Sequence, residues 1–231
     1  MGSTDLIAVV IPAYNAEATI GPVVNRVQKV VPQALIVVVD DGSRDTTSQC
    51  AKDAGAEVVW HADNQGKGRA LGLGIGQALM RGGTEALVTL DADGQHPPES
   101  IPALLGPIER DEADLVVGAR PRERSVMPLG RRCTNWLSSS LVSRITKTPI
   151  PDSQSGFRAM TRAVAESVRP RGARYEFETE FLLEAARQGF RLGAVPIPVV
   201  YDGITSHFRY VSDTMRLSKV FARHWRQIVS P

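Results

Sequence analysis

Short, uninterrupted apolar runs that recur between stretches of helical periodicity constrain this chain more than any other feature. Leu6–Ile11, Leu35–Val39, Glu57–Trp60, Ala86–Leu90 and Leu115–Val117 read as strands. Between them run a helical pattern through Ile20, Val23, Val24, Val27 and Val30, then helices over Thr46–Ala54, Arg69–Arg81 and Pro98–Glu109. Strands that are apolar throughout and separated by helices require a mostly parallel sheet with helices on both faces, an α/β architecture. In such sheets ligands bind beyond the carboxyl ends of the strands. Three polar clusters fall at those ends: Pro12-Ala13-Tyr14-Asn15, Asp40-Asp41-Gly42-Ser43 and Asp91-Ala92-Asp93.

The second half is less regular. Arg120–Gly130 is a loop rich in Arg and Pro, Arg132–Lys147 a helix, Ser155–Met160 a strand, Phe177–Gln188 a helix and Arg191–Val199 extended. No linker or repeat divides the chain, so one domain over residues 1–211 is expected. Residues 212–231 form a basic amphipathic helix, either part of that domain or facing a membrane. Its stripe of Leu217, Val220, Phe221, Trp225 and Ile228 suits docking on the core, and its basic edge suits an anionic lipid surface.

Composition excludes several classes. The 231 residues are 42% hydrophobic and 23% charged, ordinary globular values. A net charge of +2 makes no case for nucleic acid. Cys50 and Cys133 lack metal-ligand spacing and are expected to be reduced thiols. No apolar run reaches the roughly 18 residues that cross a bilayer, and no signal pattern opens the chain. The expected location is cytoplasmic, with peripheral contact on the inner membrane face.

The chemistry concentrates after the fourth strand. Asp91 and Asp93, two apart, project together from its end, and a turn at Gly94 lets Gln95 join them. Two carboxylates with open positions suit a divalent cation that also holds a diphosphate, against the plainer reading of turn residues. Asp41 is the better of its pair to accept from a base N–H, with Asp40 turned into the loop. Asn64-Gln65-Gly66-Lys67-Gly68-Arg69 opens a helix whose N–H groups and Lys67 are placed to face a diphosphate, although a solvated glycine turn explains the segment equally well. Gly72-Leu73-Gly74-Ile75-Gly76 lies inside a helix, which rules out a dinucleotide fingerprint. Arg120, Arg122, Arg124, Arg131 and Arg132 crowd one loop without a lysine, favouring phosphate contact for Arg120 and Arg131. Asp152 is an ordinary turn residue, a general base or an orienting group.

The order IPAYNAE, VDDGS, NQGKGRA, LDADGQHPPE, GAR and DSQSGFR resembles family 2 glycosyltransferases of the Rossmann-like GT-A fold, within them the dolichyl- or polyprenyl-phosphate mannosyltransferases and glucosyltransferases. The resemblance spans residue 6 to about residue 210. It implies inverting transfer of a hexose from a GDP- or UDP-sugar. Pro12, Tyr14, Glu17 and Asp41 would hold the nucleotide, Ala92 would lie against the donor, and Asp91, Asp93 and Gln95 would bind Mg or Mn. Arg120, Arg131 and a basic residue near Ser206-His207-Phe208-Arg209 would bind phosphates, with Arg209 the candidate there. The acceptor implied is a polyprenyl phosphate. The competing readings are a soluble family 2 enzyme acting on a saccharide or small-molecule hydroxyl, and a catalytically silent nucleotide-sugar-binding module. A nucleotidyltransferase is disfavoured, because no Gly-rich, Arg-containing loop follows the first strand.

Overall fold

The computed structural model describes residues 6–120, 129–172, 176–198 and 220–221, the side chains of 129–134 excepted. Seven strands form one sheet in the order β3-β2-β1-β4-β6-β5-β7. Strands β1 (Leu6–Ala13), β2 (Leu35–Asp40), β3 (Glu57–Trp60) and β4 (Thr84–Thr89) are mutually parallel, as are β5 (Leu115–Ala119) and β7 (Leu192–Pro196). Strand β6 (Arg158–Thr161) runs antiparallel between β4 and β5. The mostly parallel α/β sheet expected from the apolar runs is therefore present.

Each strand divides its side chains between two cores, as a period of two requires. Val9, Ile11, Val38 and Val88 face one cluster with Ile20, Val23, Val24 and Val27 of α1 (Ile20–Val30), Ala51 of α2 (Thr47–Asp53) and Leu104 of α4 (Ile101–Glu109). Ala8, Val10, Val39 and Leu87 face the other, with Ala70, Leu71 and Ile75 of α3 (Lys67–Met80) and Val142 of α5 (Leu129–Thr146). Val164 of α6 (Arg162–Ser167) and Phe177 and Phe181 of α7 (Glu176–Arg187) complete this second core. Val220 is buried there too.

The helices change face because the sheet grows in two directions. From β1 the chain steps outward to β2 and β3, then returns past β1 to β4. Right-handed crossovers put α1 and α2 on one face and α3 on the other. The reversal leaves a crevice beyond the carboxyl ends of β1 and β4, where open α/β sheets bind ligands. Gly74 seats α3 in this arrangement. A Cβ there would collide with Val10 and lie 2.8 Å from Val39 Cγ2, so Gly74 serves close helix–sheet packing, whereas a Cβ on Gly72 or Gly76 would meet open space.

Candidate active site

On one side of the crevice, three loops are stitched together by their own polar groups. In the β1–α1 loop, Asn15 adopts φ 48°. Its N–H donates to Ser43 Oγ at 2.9 Å, and its Oδ1 accepts from Arg44 N at 2.9 Å. Glu17 Oε2 accepts from Thr46 N at 3.0 Å and Thr46 Oγ1 at 2.7 Å, tying this loop to the start of α2. Asp40 accepts from Ser43 N at 2.8 Å and from Ser48 Oγ, the loop role expected of it.

Asp41 is buried and holds the β3–α3 loop. Its Oδ1 contacts His61 Nδ1 at 2.7 Å and accepts from Gln65 N at 2.9 Å; its Oδ2 accepts from Gly66 N at 2.8 Å. Gly66, at φ 98°, makes that turn. The helix-opening N–H groups of Gln65 and Gly66 thus serve Asp41 rather than standing open to a diphosphate. Pro12 is buried within β1 opposite Val39, whereas Tyr14 is exposed. Ala92 is buried in the α1-side core.

Strand β4 ends at Thr89, and Asp91 and Asp93 follow. Gly94, at φ 73°, supplies the expected turn, closed by Gln95 N donating to Asp93 Oδ1 at 3.0 Å. The position of Lys67 was not anticipated. Its Nζ lies 2.7 Å from Asp91 Oδ1 and 2.7 Å from Glu178 Oε1 of α7, so it bridges two carboxylates. Glu178 is buried and its Oε2 has no hydrogen-bond partner. Gly156 covers the pair, pinned by Thr89 Oγ1 donating to its carbonyl at 2.7 Å. A Cβ on Gly156 would fall 2.6 Å from both Asp91 Oδ1 and Lys67 Nζ.

The two acids titrate in opposite directions. Burial works against ionising Asp91, but the Lys67 charge outweighs it and holds the carboxyl below its usual range. Asp93 is pushed up, first by burial and then by the negative charge of Asp91. An added cation would relieve that repulsion, and two carboxylates with an amide oxygen form the hard donor set of Mg or Mn. Among the described residues no three His, Cys, Asp or Glu side chains gather to chelate a metal by themselves. This fits a site that substrate phosphates complete.

Across the crevice, Asp152 is buried in a forked pair: Arg120 Nε donates to Oδ2 at 2.5 Å and Nη2 to Oδ1 at 3.0 Å. Asn135 Nδ2 of α5 adds a donor to Oδ1 at 3.1 Å. Burial opposes the charge on Asp152, but Arg120 and these hydrogen bonds prevail and hold the carboxyl low. A carboxylate so engaged is a poor general base. Arg120, expected on phosphate, turns its fork to Asp152. The side chain of Arg131, and Arg209, Arg122, Arg124 and Arg132, lie outside the described side chains, as does most of the 212–231 segment.

Three further residues escaped the sequence reading. Arg158, fully enclosed, donates to the carbonyls of Ser155 (2.9 Å), Glu178 (2.7 Å) and Ser153 (2.9 Å), fixing the 152–156 loop to α7. Its pKa is lowered to about 10 by burial. His96 stacks at a tilt on Phe157, centroids 5.6 Å apart, with Nδ1 unpartnered; burial pushes its pKa down to about 4. Glu178 is the third. Beside Arg120 opens a groove of about 830 Å³, its walls including Ala119, Ile150 and Pro196 and its rim Arg144 and Lys147.

Comparison with known proteins agrees with this architecture. Glucosyl-3-phosphoglycerate synthase from Mycobacterium tuberculosis, solved with Mn2+, uridine diphosphate and phosphoglyceric acid, superposes with a TM-score of 0.73. The match covers 98% of this chain and 80% of that one at 23% identity, a likeness of fold. The UDP-N-acetylglucosamine–dolichyl-phosphate N-acetylglucosaminyltransferase of Methanococcus voltae is 35% identical over 85% of this chain and 86% of its own. The undecaprenyl-phosphate mannosyltransferase of Micrococcus luteus is 32% identical over 83% of this chain and 82% of its own. The family model for glycosyl transferase family 2 matches residues 8–169, and with that extent of agreement the chain belongs to this family of glycosyltransferases.

Proposed function

We propose that this glycosyltransferase moves a hexose, with inversion, from a GDP- or UDP-sugar to a polyprenyl phosphate at the cytoplasmic membrane face. The observation that carries this reading is the engaged state of Asp152: both its oxygens are held by Arg120 and Asn135. A hydroxyl acceptor needs a base to take its proton. A phosphomonoester is largely ionised already at neutral pH, its second pKa being about 6. The named activities of the relatives support a lipid phosphate, and so does the groove, apolar in its walls and basic at its rim. Adjacent Trp136 and Leu137, exposed on α5, offer an apolar contact for a membrane surface. Residues 1–211 act as one domain in this reading, and Val220 of the 212–231 segment packs against the core, which would leave the segment's basic residues for lipid.

The chemistry then runs as follows. An acceptor phosphate oxygen attacks the anomeric carbon while the bond to the nucleoside diphosphate breaks with its electron pair, on the opposite face. Asp91, Asp93 and Gln95 would hold Mg or Mn, which neutralises charge gathering on the leaving diphosphate. Asp41 Oδ2, with one donor bound, keeps capacity for a base N–H. Tyr14, exposed in the β1–α1 loop, would lie beside the base. Pro12, Glu17 and Ala92 shape the donor cleft through the backbone they fix. Asp152 orients Arg120, which, with Arg131 and Arg209, meets acceptor or donor phosphate.

Incubation with GDP-mannose, UDP-glucose or UDP-N-acetylglucosamine, Mn2+ and detergent-dispersed polyprenyl phosphate tests the proposal. Lipid-linked sugar from one donor is the expected result. Transfer to soluble hydroxyl acceptors, with none to the lipid under any donor, refutes the acceptor assignment.

A further inference from the structure

We infer that Lys67 is a built-in counter-cation that occupies the metal-facing carboxylate until a diphosphate draws it away, making metal and nucleotide bind together rather than separately. The inference rests on the assignment of Asp91 and Asp93 as metal ligands. Lys67 sits between two carboxylates at equal distance, 2.7 Å from Asp91 Oδ1 and 2.7 Å from Glu178 Oε1. Only the first belongs to the metal site. Glu178 lies on a different element, is buried, and keeps an oxygen with no other partner. It therefore serves as a second seat for the ammonium when Asp91 turns to a metal.

Gly156 presses on the pair from above, close enough that a Cβ would lie 2.6 Å from the ammonium and from Asp91 Oδ1 alike. Its carbonyl is anchored to Thr89, so this roof is fixed. Lys67 opens α3 directly after the Gly66 turn, which Asp41 holds. Its backbone is thus fixed while its long side chain is free to re-aim. A divalent ion arriving alone meets a positive charge already on Asp91 and is repelled. An ion arriving with a diphosphate brings negative oxygens that accept the ammonium, so the same charge changes from opponent to ligand. Lys67 is on this account a positioning residue whose effect appears in binding order.

Free Mn2+ measured by electron paramagnetic resonance gives binding isotherms without turnover. Wild-type protein is expected to bind Mn2+ alone weakly and Mn2+ with GDP or UDP far more tightly. Lys67→Met should bind Mn2+ alone more tightly than wild type and lose roughly tenfold of the coupling between metal and nucleotide. Lys67→Arg, which keeps the charge, should stay weak towards Mn2+ alone. Unchanged or weaker binding of Mn2+ alone by folded Lys67→Met overturns the inference. So does a wild-type isotherm indifferent to nucleotide, which needs no variant to fold. Asp93→Asn separates the two levels: loss of Mn2+ binding there, with no effect of Lys67→Met, removes only the role of Lys67. Undiminished Mn2+ binding by Asp93→Asn overturns the metal assignment and this inference together.

Discussion

The two sides of the crevice use charge differently. On the side proposed for the nucleotide, Glu17, Asp40, Asp41 and Asp45 bond mostly to backbone N–H groups and hydroxyls of neighbouring loops. On the transfer side, Lys67, Asp91, Glu178, Arg120 and Asp152 bond to one another. The first arrangement fixes the shape of the loops and leaves little to rearrange. The second places opposite charges in pairs that an incoming anion or cation can re-partner. In the proposed function, preorganisation lies on the side where the planar base would fit, and exchangeable charge on the side where phosphates would arrive and leave.

The strongest test of that contrast removes a buried partner. Asp152→Ala removes the buried carboxylate that the Arg120 fork holds, and breaking such a pair costs about 3–5 kcal/mol. Urea unfolding should show a loss of that size, and a loss below 1 kcal/mol would mean the pair is dispensable to the fold. Gly156→Ala forces a methyl group against Asp91 and Lys67. Small misplacements at a reacting centre cost about 10²-fold, so kcat/KM for sugar transfer should fall by about that factor, with overall stability changed far less.

His96 sharpens the contrast through pH. Its ring titrates at about 4, below the ordinary 6.5, burial being the main cause. The unfolded chain takes up a proton below pH 6.5 while the native ring stays neutral. The stability attached to this group is therefore whole above 6.5 and declines as pH falls towards 4. The slope is at most about 1.4 kcal/mol per pH unit. In metal-free protein, His96→Phe should shrink the stability difference between pH 7 and pH 5 by about 1–2 kcal/mol, read from urea melts at both pH values. An unaltered difference would assign the acid sensitivity to the paired carboxylates instead. The smallest effect belongs to the stitched side. Glu17→Gln weakens two hydrogen bonds to Thr46, costing about 1 kcal/mol by thermal melt.

The sheet could be read from the sequence because its parallel strands are apolar on both faces and long enough to stand out. Strand β6 could be located but not oriented. It has four residues, Arg158 to Thr161, and its antiparallel placement depends on partners far away in the chain. Helix α6 has six residues and was too short for a period to register. The acidic turn after β4 was legible from spacing, since Asp-x-Asp-Gly-Gln encodes its geometry locally. The partners of those acids were not. Glu178 sits in the helical pattern of α7, where a glutamate ordinarily faces water, and only the tertiary fold buries it. Arg120 and Asp152 stand 32 residues apart, without a local signal that they meet. The hydrogen bonds that tie Asp41 to Gln65 and Gly66, and Glu17 to Thr46, join segments 24 to 29 residues apart, which no local pattern encodes.

Strand β6 runs against its neighbours, and this bears on how such enzymes change acceptors. The loop carrying Asp152 enters β6 through Gly156 and Phe157, so one continuous stretch of backbone carries the partner of Arg120 and then the cover over Asp91, the proposed recipient and donor sides in turn. A graft that alters recipient choice by exchanging this loop alone would also shift the ceiling over Asp91. Successful chimeras should move residues 152–158 together with Arg120 and Asn135, as one interlocked cassette.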